Sequence, residues 1–327
     1  MDKIIRCITS DGSVMASAID SSNIVHTAKK LHHTSPVATA ALGRLVTAAS
    51  VMGAQLKQNN ASVTLRINGG GPLGAVIAVA DSRGNCRGYV ENPACETEHY
   101  VNGKLNVAAA VGKDGILNVM RDYGSGEPYL GQTQLVSGEI AEDITSYYAQ
   151  SEQIPTVCAL GVLLDKEDGE VLLAGGLLIQ LLPAAGDDAI DRLEKNVSKL
   201  EPVTTMLAKG LSALDICKTA LDGFEVEVLD EFPIDYVCTC SRRKVEESIR
   251  LLSDDEIRSL ADEKATQWRT VISATKTTVL PRNSSRKSSN LKNKKILNFV
   301  LTFAPRYSII LTVADDAKVT AKRFKGA

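Results

Sequence analysis

Two cysteines one residue apart, Cys238 and Cys240, have the spacing in this sequence that best suits a chemical role. Such a pair can bind one soft metal ion or oxidise to a local disulfide, and both reactions need thiolate character. Arg242, Arg243 and Lys244 follow directly, and nearby positive charge favours the thiolate. The alternative is two buried cysteines at a strand end, since free cysteine is among the most buried residue types. A closed structural zinc site needs four ligands, and this stretch supplies two.

A glycine-rich stretch at residues 68–74 is the second candidate site. Glycine-rich loops can bind phosphate through their backbone amides, but this stretch matches neither common pattern. No Gly-Lys-Ser/Thr follows it, and its spacing is not that of Gly-x-Gly-x-x-Gly opening a helix. Glycines that permit positive φ at a tight corner between strands are the favoured interpretation.

The composition is that of an ordinary soluble protein. A length of 327 residues predicts two or three domains, and 44% hydrophobic with 23% charged residues is typical of a globular chain. The net charge of −2 predicts no general attraction to nucleic acid, and we expect no membrane span and no signal peptide. The seven cysteines are odd in number and mostly scattered, which favours a reducing cytoplasm over a disulfide framework.

Alternating and apolar runs predict an α+β core domain over residues 1–183, with mainly antiparallel sheet and packed helices. Ser35 and Pro36 predict the start of a long helix. The predicted strands lie within 3–20, 62–67, 75–80, 115–120, 129–136, 157–164 and 171–182, with a further strand through Tyr89 and Val90. The predicted helices lie at 37–56 and 139–150.

The remaining chain divides into three parts. Apolar residues at helical spacing predict a helical region over 184–224, which is either an ordinary subdomain or a linker that is stable only when docked. A strand at 225–237 leads into the cysteine pair, and residues 225–267 are predicted to form a small C-terminal domain. Residues 268–327 differ in composition from everything before them.

Several motifs resemble, in their order along the chain, the heat-shock protein 33 family of redox-regulated 33-kDa chaperonins. The resemblance extends from the N-terminus to about residue 262. The matching motifs are Ala-Ala-Leu-Gly-Arg at 40–44, Gly-Gly-Gly-Pro-Leu-Gly at 69–74, Val-Ser-Gly-Glu at 136–139, Ser-Glu-Gln-Ile-Pro at 151–155, Ala-Gly-Gly at 174–176 and Cys-Thr-Cys-Ser at 238–241.

The resemblance implies a cytoplasmic, ATP-independent holdase chaperone and no enzymatic activity. Members of that family hold zinc with four thiolates, from a Cys-x-Cys and a later Cys-x-x-Cys. Oxidants convert each pair to a disulfide and release the zinc, which unfolds the small domain and the linker helices and exposes apolar surface to unfolding clients. The resemblance therefore implies that Cys238 and Cys240 are zinc ligands and a redox-active disulfide. It also implies a homodimer when active, with no nucleic acid or membrane partner.

The second cysteine motif is missing, because no cysteine follows Cys240. Residues 1–267 contain 24 basic and 37 acidic side chains, whereas residues 268–327 contain 13 basic and 2 acidic side chains. If the codons of residues 270–280 are read in a shifted frame, the genetic code permits the sequence Cys-His-Phe-Cys-Asn-Glu-Asn-Tyr-Arg-Phe. This sequence looks like the second cysteine motif of the family. We interpret this as a frameshift near residues 262–267 and expect the tail at 268–327 to be non-native and largely disordered.

Three alternatives stay open. The tail can be a genuine basic segment that binds nucleic acid. The chain can be a static zinc-binding interaction module, or an enzyme that binds a phosphate ligand at residues 68–74. If the chain exists as written, its two thiolates cannot close a zinc site, and weak metal binding with a loosely folded region beyond residue 230 is expected.

Overall fold

The structure is a computed structural model that describes residues 1–98, 100, 104–238 and 253. In this part of the chain it is an α+β fold built on two antiparallel sheets. The strands are β1 (Lys3–Thr9), β2 (Val14–Asp20), β3 (Ser62–Asn68), β4 (Val76–Asp81), β5 (Cys86–Val90), β6 (Ile116–Asp122), β7 (Tyr129–Gln134), β8 (Thr156–Leu164), β9 (Val171–Leu181) and β10 (Val226–Pro233). The helices are α1 (Ser22–His32), α2 (Pro36–Ala54), α3 (Val107–Val111), α4 (Ala141–Tyr147), α5 (Asp187–Val197), α6 (Val203–Ala208) and α7 (Ala213–Ala220).

The two sheets have five strands each. The first has the order β10-β1-β2-β9-β8, and the second has the order β5-β4-β3-β6-β7. Every neighbouring pair for which the register is given is antiparallel. The predicted strands and the mainly antiparallel arrangement are therefore confirmed.

Helix α2 lies between the sheets and forms the centre of the core. It contacts β3, β4 and β5 of the second sheet and β2, β8 and β9 of the first. Ser35 caps its N-terminus by accepting a hydrogen bond from the Ala38 amide at 3.3 Å, and Pro36 follows in the first turn. The helix is long and apolar enough to cross a membrane, but 94% of that stretch is buried inside the protein, as in the core helix of a globular fold.

Helix α1 was not predicted from the sequence, and its N-terminus shows why. The Asp2 carboxylate, at the start of β1, accepts hydrogen bonds from the Asn23 amide at 3.0 Å and the Ile24 amide at 2.7 Å. Asp20 also caps this end locally, by accepting hydrogen bonds from the Ser22 amide at 3.1 Å and the Ser22 hydroxyl at 2.7 Å. The Ser-x-x-Glu pattern of a capping box is absent, and the Asp2 cap lies 21 positions before Asn23, where no local pattern connects the two.

The C-terminal boundary of the core differs from the prediction. Strand β10 was expected to belong with the cysteine pair, but it is hydrogen-bonded to β1 along its whole length, from Lys3 opposite Pro233 to Thr9 opposite Val226. Residues 1–30 and 34–237 form one compact unit, which includes the helical region predicted as a separate linker. Residues 31–33 and 238 are not part of this unit. The predicted disordered tail at 268–327 lies outside the described residues.

Candidate functional site

The segment that leads to the cysteine pair is anchored to both sheets. After β10, the Ile234 amide donates to the carbonyl of Asp2 at 3.1 Å, next to the first sheet. Tyr236 then pairs in parallel with Cys86 at the edge of the second sheet, and its hydroxyl donates to the Gly88 carbonyl at 3.0 Å. The Val237 amide donates to the Cys86 carbonyl at 2.9 Å. The cysteine pair therefore comes directly after Val237, a residue whose backbone is hydrogen-bonded to the core.

The structure describes one member of the predicted pair. Cys238 is half-buried directly after this anchor, whereas Cys240 lies outside the described residues. Among residues 1–98, 100, 104–238 and 253, no group of three or more His, Cys, Asp or Glu side chains is arranged to hold a metal. The sequence contains no cysteine or histidine after Cys240. The donor set therefore does not fit the four-thiolate zinc site that the resemblance implies.

The five other cysteines are buried or half-buried residues of the core. Burial raises the pKa of the Cys158 thiol to about 12, and it also raises the pKa of the Cys86 and Cys95 thiols. These groups stay protonated and therefore weakly nucleophilic at neutral pH. Cys7 and Cys217 differ from them in that each thiol affects the pKa of the other, which is lowered for Cys7 and raised for Cys217.

The glycine-rich stretch at 68–74 uses its amides within the protein. The Gly69 and Gly71 amides both donate to the Val111 carbonyl, at 3.2 and 3.0 Å, and the Leu73 amide donates to the Ala110 carbonyl at 2.9 Å. A Cβ on Gly71 would lie 2.4 Å from the Ala110 carbonyl oxygen. The glycines are therefore needed for close approach to the C-terminal end of α3, and these donors are not available to a phosphate.

Two of the motifs that support the resemblance meet in one ion pair. The Arg44 guanidinium on α2 contacts the Glu139 carboxylate, and both side chains are mostly buried. Glu139 also accepts from the Tyr100 hydroxyl at 2.8 Å and from the Ala108 amide at 3.3 Å. Burial raises the pKa of Glu139, but the hydrogen bond and charge of Arg44 outweigh this effect, so the pKa is lowered overall. The motifs at 40–44 and 136–139 thus hold the core together.

Helices α5 to α7 cover an apolar face of the first sheet. A second core cluster, separate from the cluster around α2, joins this face to the helices. Its buried members on the strands are Ile5, Cys7, Val14, Ala16, Ala18, Leu177 and Ile179, and those on the helices and the adjoining turn are Leu193, Val203, Met206, Leu207, Ala213, Ile216, Cys217, Ala220 and Leu221. The sequence pattern at 184–224 predicted the helices correctly, and the structure shows them docked on the first sheet.

These helices depend on the sheet for their stability. α6 has six residues and α7 has eight, which is well below the roughly 12–15 residues at which an isolated helix becomes marginally stable in water. In α5, Leu193 is the buried residue, and the helix is held to the end of α7 by hydrogen bonds from the Asn196 amide group to the Ala220 and Asp222 carbonyls. Burial of one Leu, Ile, Val or Met side chain contributes about 1.5–3 kcal/mol. Loss of the apolar contact would therefore unfold the segment 187–221 and expose the sheet.

The family model described as Hsp33 protein matches residues 2–269. This chain belongs to the Hsp33 family. The matched region contains every element that the structure describes, together with Cys238 and Cys240. It ends two residues after position 267, where the composition of the sequence changes.

Curated Hsp33 relatives are similar over the same region. The 33 kDa chaperonin of Clostridioides difficile (strain 630) is 47% identical over 262 residues, which cover 80% of this chain and 89% of the relative. The 33 kDa chaperonin of Acetivibrio thermocellus is 45% identical over 262 residues, which cover 80% of this chain and 88% of the relative. The names of these relatives support a chaperone function for the Hsp33 chain described here.

A solved Hsp33 structure has the same fold. The crystal structure of the 33 kDa chaperonin from Thermotoga maritima, a heat shock protein 33 homologue, superposes with a TM-score of 0.71 at 33% identity. The match covers 79% of this chain and 87% of the other. The predicted family and the α+β class are therefore confirmed.

Proposed function

We propose that this Hsp33 chain is an ATP-independent holdase, which binds unfolding or oxidatively damaged proteins on apolar surface and is activated by oxidation of Cys238 and Cys240. The observation that carries the proposal is the apolar face of the first sheet beneath α5 to α7. It is a large buried apolar surface covered by helices too short to persist alone. A cover of this kind can be released without unfolding the α2-centred core.

The position of Cys238 supports a connection between oxidation and release of the helices. Cys238 follows Val237, and β10 occupies the edge of the sheet that α7 covers. A disulfide between cysteines one residue apart departs from relaxed geometry, so its formation distorts the local backbone. We propose that this distortion is transmitted through β10 to the adjoining helices.

A zinc ion would supply folding free energy to the region after residue 237 when bound, but the residues present do not complete its site. Cys238 and Cys240 provide two thiolates, and the described residues provide no further cluster of ligands. We therefore expect weak metal binding by the chain as written, and the proposed switch depends on the two thiols themselves.

Peroxide treatment of the full chain tests the proposal. Reduced protein and protein oxidised with hydrogen peroxide are each mixed with a thermally unfolding client in the absence of nucleotide, and client aggregation is followed by light scattering. We expect the oxidised protein to suppress aggregation at least tenfold better than the reduced protein. The variants Cys238→Ser and Cys240→Ser should lose this gain.

Cys158→Ser is the matched control, because Cys158 is a core thiol whose pKa burial raises to about 12. It should respond to peroxide like the unmodified chain. An equal gain in the Cys238 and Cys240 variants would rule out their role in activation. No gain in any of the proteins would favour the static interaction module instead.

The phosphate-binding enzyme is the less favoured function. The amides of the stretch at 68–74 that such a ligand would need are engaged by carbonyls of residues 110 and 111. Thermal stabilisation by a nucleotide or by inorganic phosphate would be the result that favours it.

We further propose that unfolding client proteins are the principal partners, that the active form is a homodimer and that the protein acts in the cytoplasm without a nucleic acid or membrane partner. Light scattering after size-exclusion chromatography tests the dimer, since oxidation should double the molar mass.

A further inference from the structure

Strand β8 forms an edge of the first sheet that carries no charged residue and no proline. Its residues run from Thr156 to Leu164, are all at least partly exposed, and are apolar apart from Thr156 and Gly161. A long apolar edge of this kind readily pairs with another chain, and proteins usually protect such an edge with charge, proline or a covering segment. β8 therefore lacks the usual protection against pairing.

The other sheet edges in the described part of the chain are better protected. The edge strand β10 exposes Glu227, Asp230 and Glu231 and ends at Pro233. β5 is paired with the segment at Tyr236. β7 is shorter, with six residues, and two of its exposed side chains are glutamines. The apolar edge is therefore a particular property of β8.

The pairing with β9 determines which backbone groups of β8 point away from the sheet. The Leu181 amide donates to the Pro155 carbonyl at 3.0 Å, which makes these two residues a hydrogen-bonded pair. Hydrogen-bonded and non-hydrogen-bonded pairs alternate along an antiparallel ladder. By the register of β8 and β9, the amides and carbonyls of Cys158, Leu160 and Val162 therefore point outwards.

Helix α4 occupies the first of these outward positions. The Cys158 amide donates to the Thr145 hydroxyl at 3.2 Å, as expected for an amide that points away from β9. Within the described part of the chain, no backbone group outside the ladder pairs with Leu160 or Val162. These two residues have the two-residue spacing at which an extended chain presents its own hydrogen-bonding groups. Residues 160–164, the open edge of β8, can therefore accept a further strand.

The open edge is continuous with the interface between the first sheet and the helical cover. Val157 and Ala159 of the same strand pack against the apolar cluster beneath α5 to α7. A Cβ on Gly161 would lie 2.7 Å from the Thr204 side chain of α6, so this helix lies directly on β8. A strand added at the open edge would extend the apolar face that the cover protects, and release of α6 would free that face.

We propose that the open edge of β8 binds extended apolar segments of unfolded proteins by strand addition. The added segment would hydrogen-bond to Leu160 and Val162 and place apolar side chains next to the face beneath α6. Folded proteins protect their own edges, so a site of this kind distinguishes unfolded chains from folded ones. The inference deepens the proposed client binding and rests on it for its biological role, whereas binding at β8 is measurable in either redox form.

Amide hydrogen exchange of the full chain, followed by nuclear magnetic resonance, tests the site directly. The probe is reduced, carboxymethylated α-lactalbumin, which is permanently unfolded, and the chain is studied in the reduced and the peroxide-oxidised form. Without the probe, the outward amides of Leu160 and Val162 should exchange faster than that of Gly161, which points towards β9. Saturating probe should slow exchange at Leu160 and Val162 at least tenfold and leave Gly161 unchanged.

Leu163→Lys blocks the edge with a charge. Leu163 is 39% exposed, so the fold tolerates the substitution, whereas lysine on an edge strand opposes pairing with another chain. We expect the Kd for the labelled probe, measured by fluorescence anisotropy, to rise at least tenfold. Leu172→Lys is the matched control, because Leu172 is 51% exposed but lies on β9, which is not an edge strand. Its Kd should equal that of the unmodified chain.

The outcomes separate this inference from the proposed redox control. Equal protection of Leu160 and Val162 in both redox forms supports strand addition and counts against activation by oxidation. Probe binding without this protection, or equal affinities of the two lysine variants, would overturn strand addition and leave the proposed function intact. Protection without probe in concentrated protein, together with a doubled molar mass, would place a second copy at the edge and overturn the inference. Absence of probe binding in both forms would overturn the inference and the proposed function together.

Discussion

Glu139 joins three segments of the chain through one carboxylate. It contacts Arg44 of α2, and it accepts hydrogen bonds from Tyr100 and from the first turn of α3. Asp143, four residues on, accepts hydrogen bonds from the amides of Val136, at 2.8 Å, and Ile140, at 2.9 Å. The loop between β7 and α4 is thereby fixed against the core by two acidic side chains.

The pH dependence of stability should report on Glu139. Its pKa in the folded protein lies below the ordinary value of 4.5, so the ion pair contributes stability above about pH 4.5 and loses it as the pH falls through the folded pKa. Glu139→Gln should destabilise the protein by about 1–3 kcal/mol near pH 7, and this difference should shrink towards pH 3. Urea denaturation of both proteins at several pH values measures this difference in the free energy of unfolding.

Glu231→Gln is the control for this measurement. Glu231 pairs with Lys3 at 2.6 Å, but the carboxylate side chain is about half exposed, so its removal should cost less than about 1 kcal/mol at any pH. A difference for Glu139→Gln that stays constant from pH 7 to pH 3 would contradict the assignment of an ionised Glu139.

At the scale of elements, α7 is held by few but completely buried side chains. Ile216 is fully buried between the helix and the sheet. Ile216→Ala should weaken docking of the cover by about 2–5 kcal/mol, because the lost contacts leave a cavity in the interface. We expect faster amide hydrogen exchange over residues 203–221, unchanged exchange in α2, and measurable suppression of client aggregation by the reduced protein.

Lys218→Ala is the matched control on the same helix. Lys218 is exposed, and alanine is a good helix former, so neither exchange nor aggregation should change. Equal loosening of α2 and α7 in Ile216→Ala would show that the cover and the core unfold together, which contradicts independent release of the cover.

Sequence patterns predicted the elements of this fold better than their partners. Alternation located the strands within residues 3–20, and Ser35 with Pro36 located the start of α2, because these signals are local. The pairing of β10 with β1 and the docking of α7 were missed, since residues more than 200 positions apart meet there. The cysteine pair at positions 238 and 240 was found by its spacing, which is also a local signal.

At the scale of the whole molecule, the family match and the composition change at nearly the same place. The Hsp33 match ends at residue 269, and the balance of charge reverses after residue 267. We expect resequencing of the coding DNA across codons 255–300 to reveal a one-base change whose correction restores a Cys-x-x-Cys motif.

Intact-mass measurement of the expressed protein provides the second arm of this test. A mass that agrees with 327 residues as written, together with an unchanged DNA sequence, would contradict the frameshift and leave a chain with two thiolates. A corrected chain should instead bind one zinc ion through four thiolates, which titration with a chromogenic chelator measures.

The pairing of β10 with β1 sets an order for events during synthesis. β1 leaves the ribosome among the first residues, but its partner at 226–233 follows only after about two hundred more have been added. At roughly 5–20 residues per second, the outer side of β1 waits on the order of 10–40 s for that partner. An unpaired strand edge is prone to pair with other chains. Until its own sheet is closed, a nascent holdase would therefore need the same protection from aggregation that it is proposed to give to others.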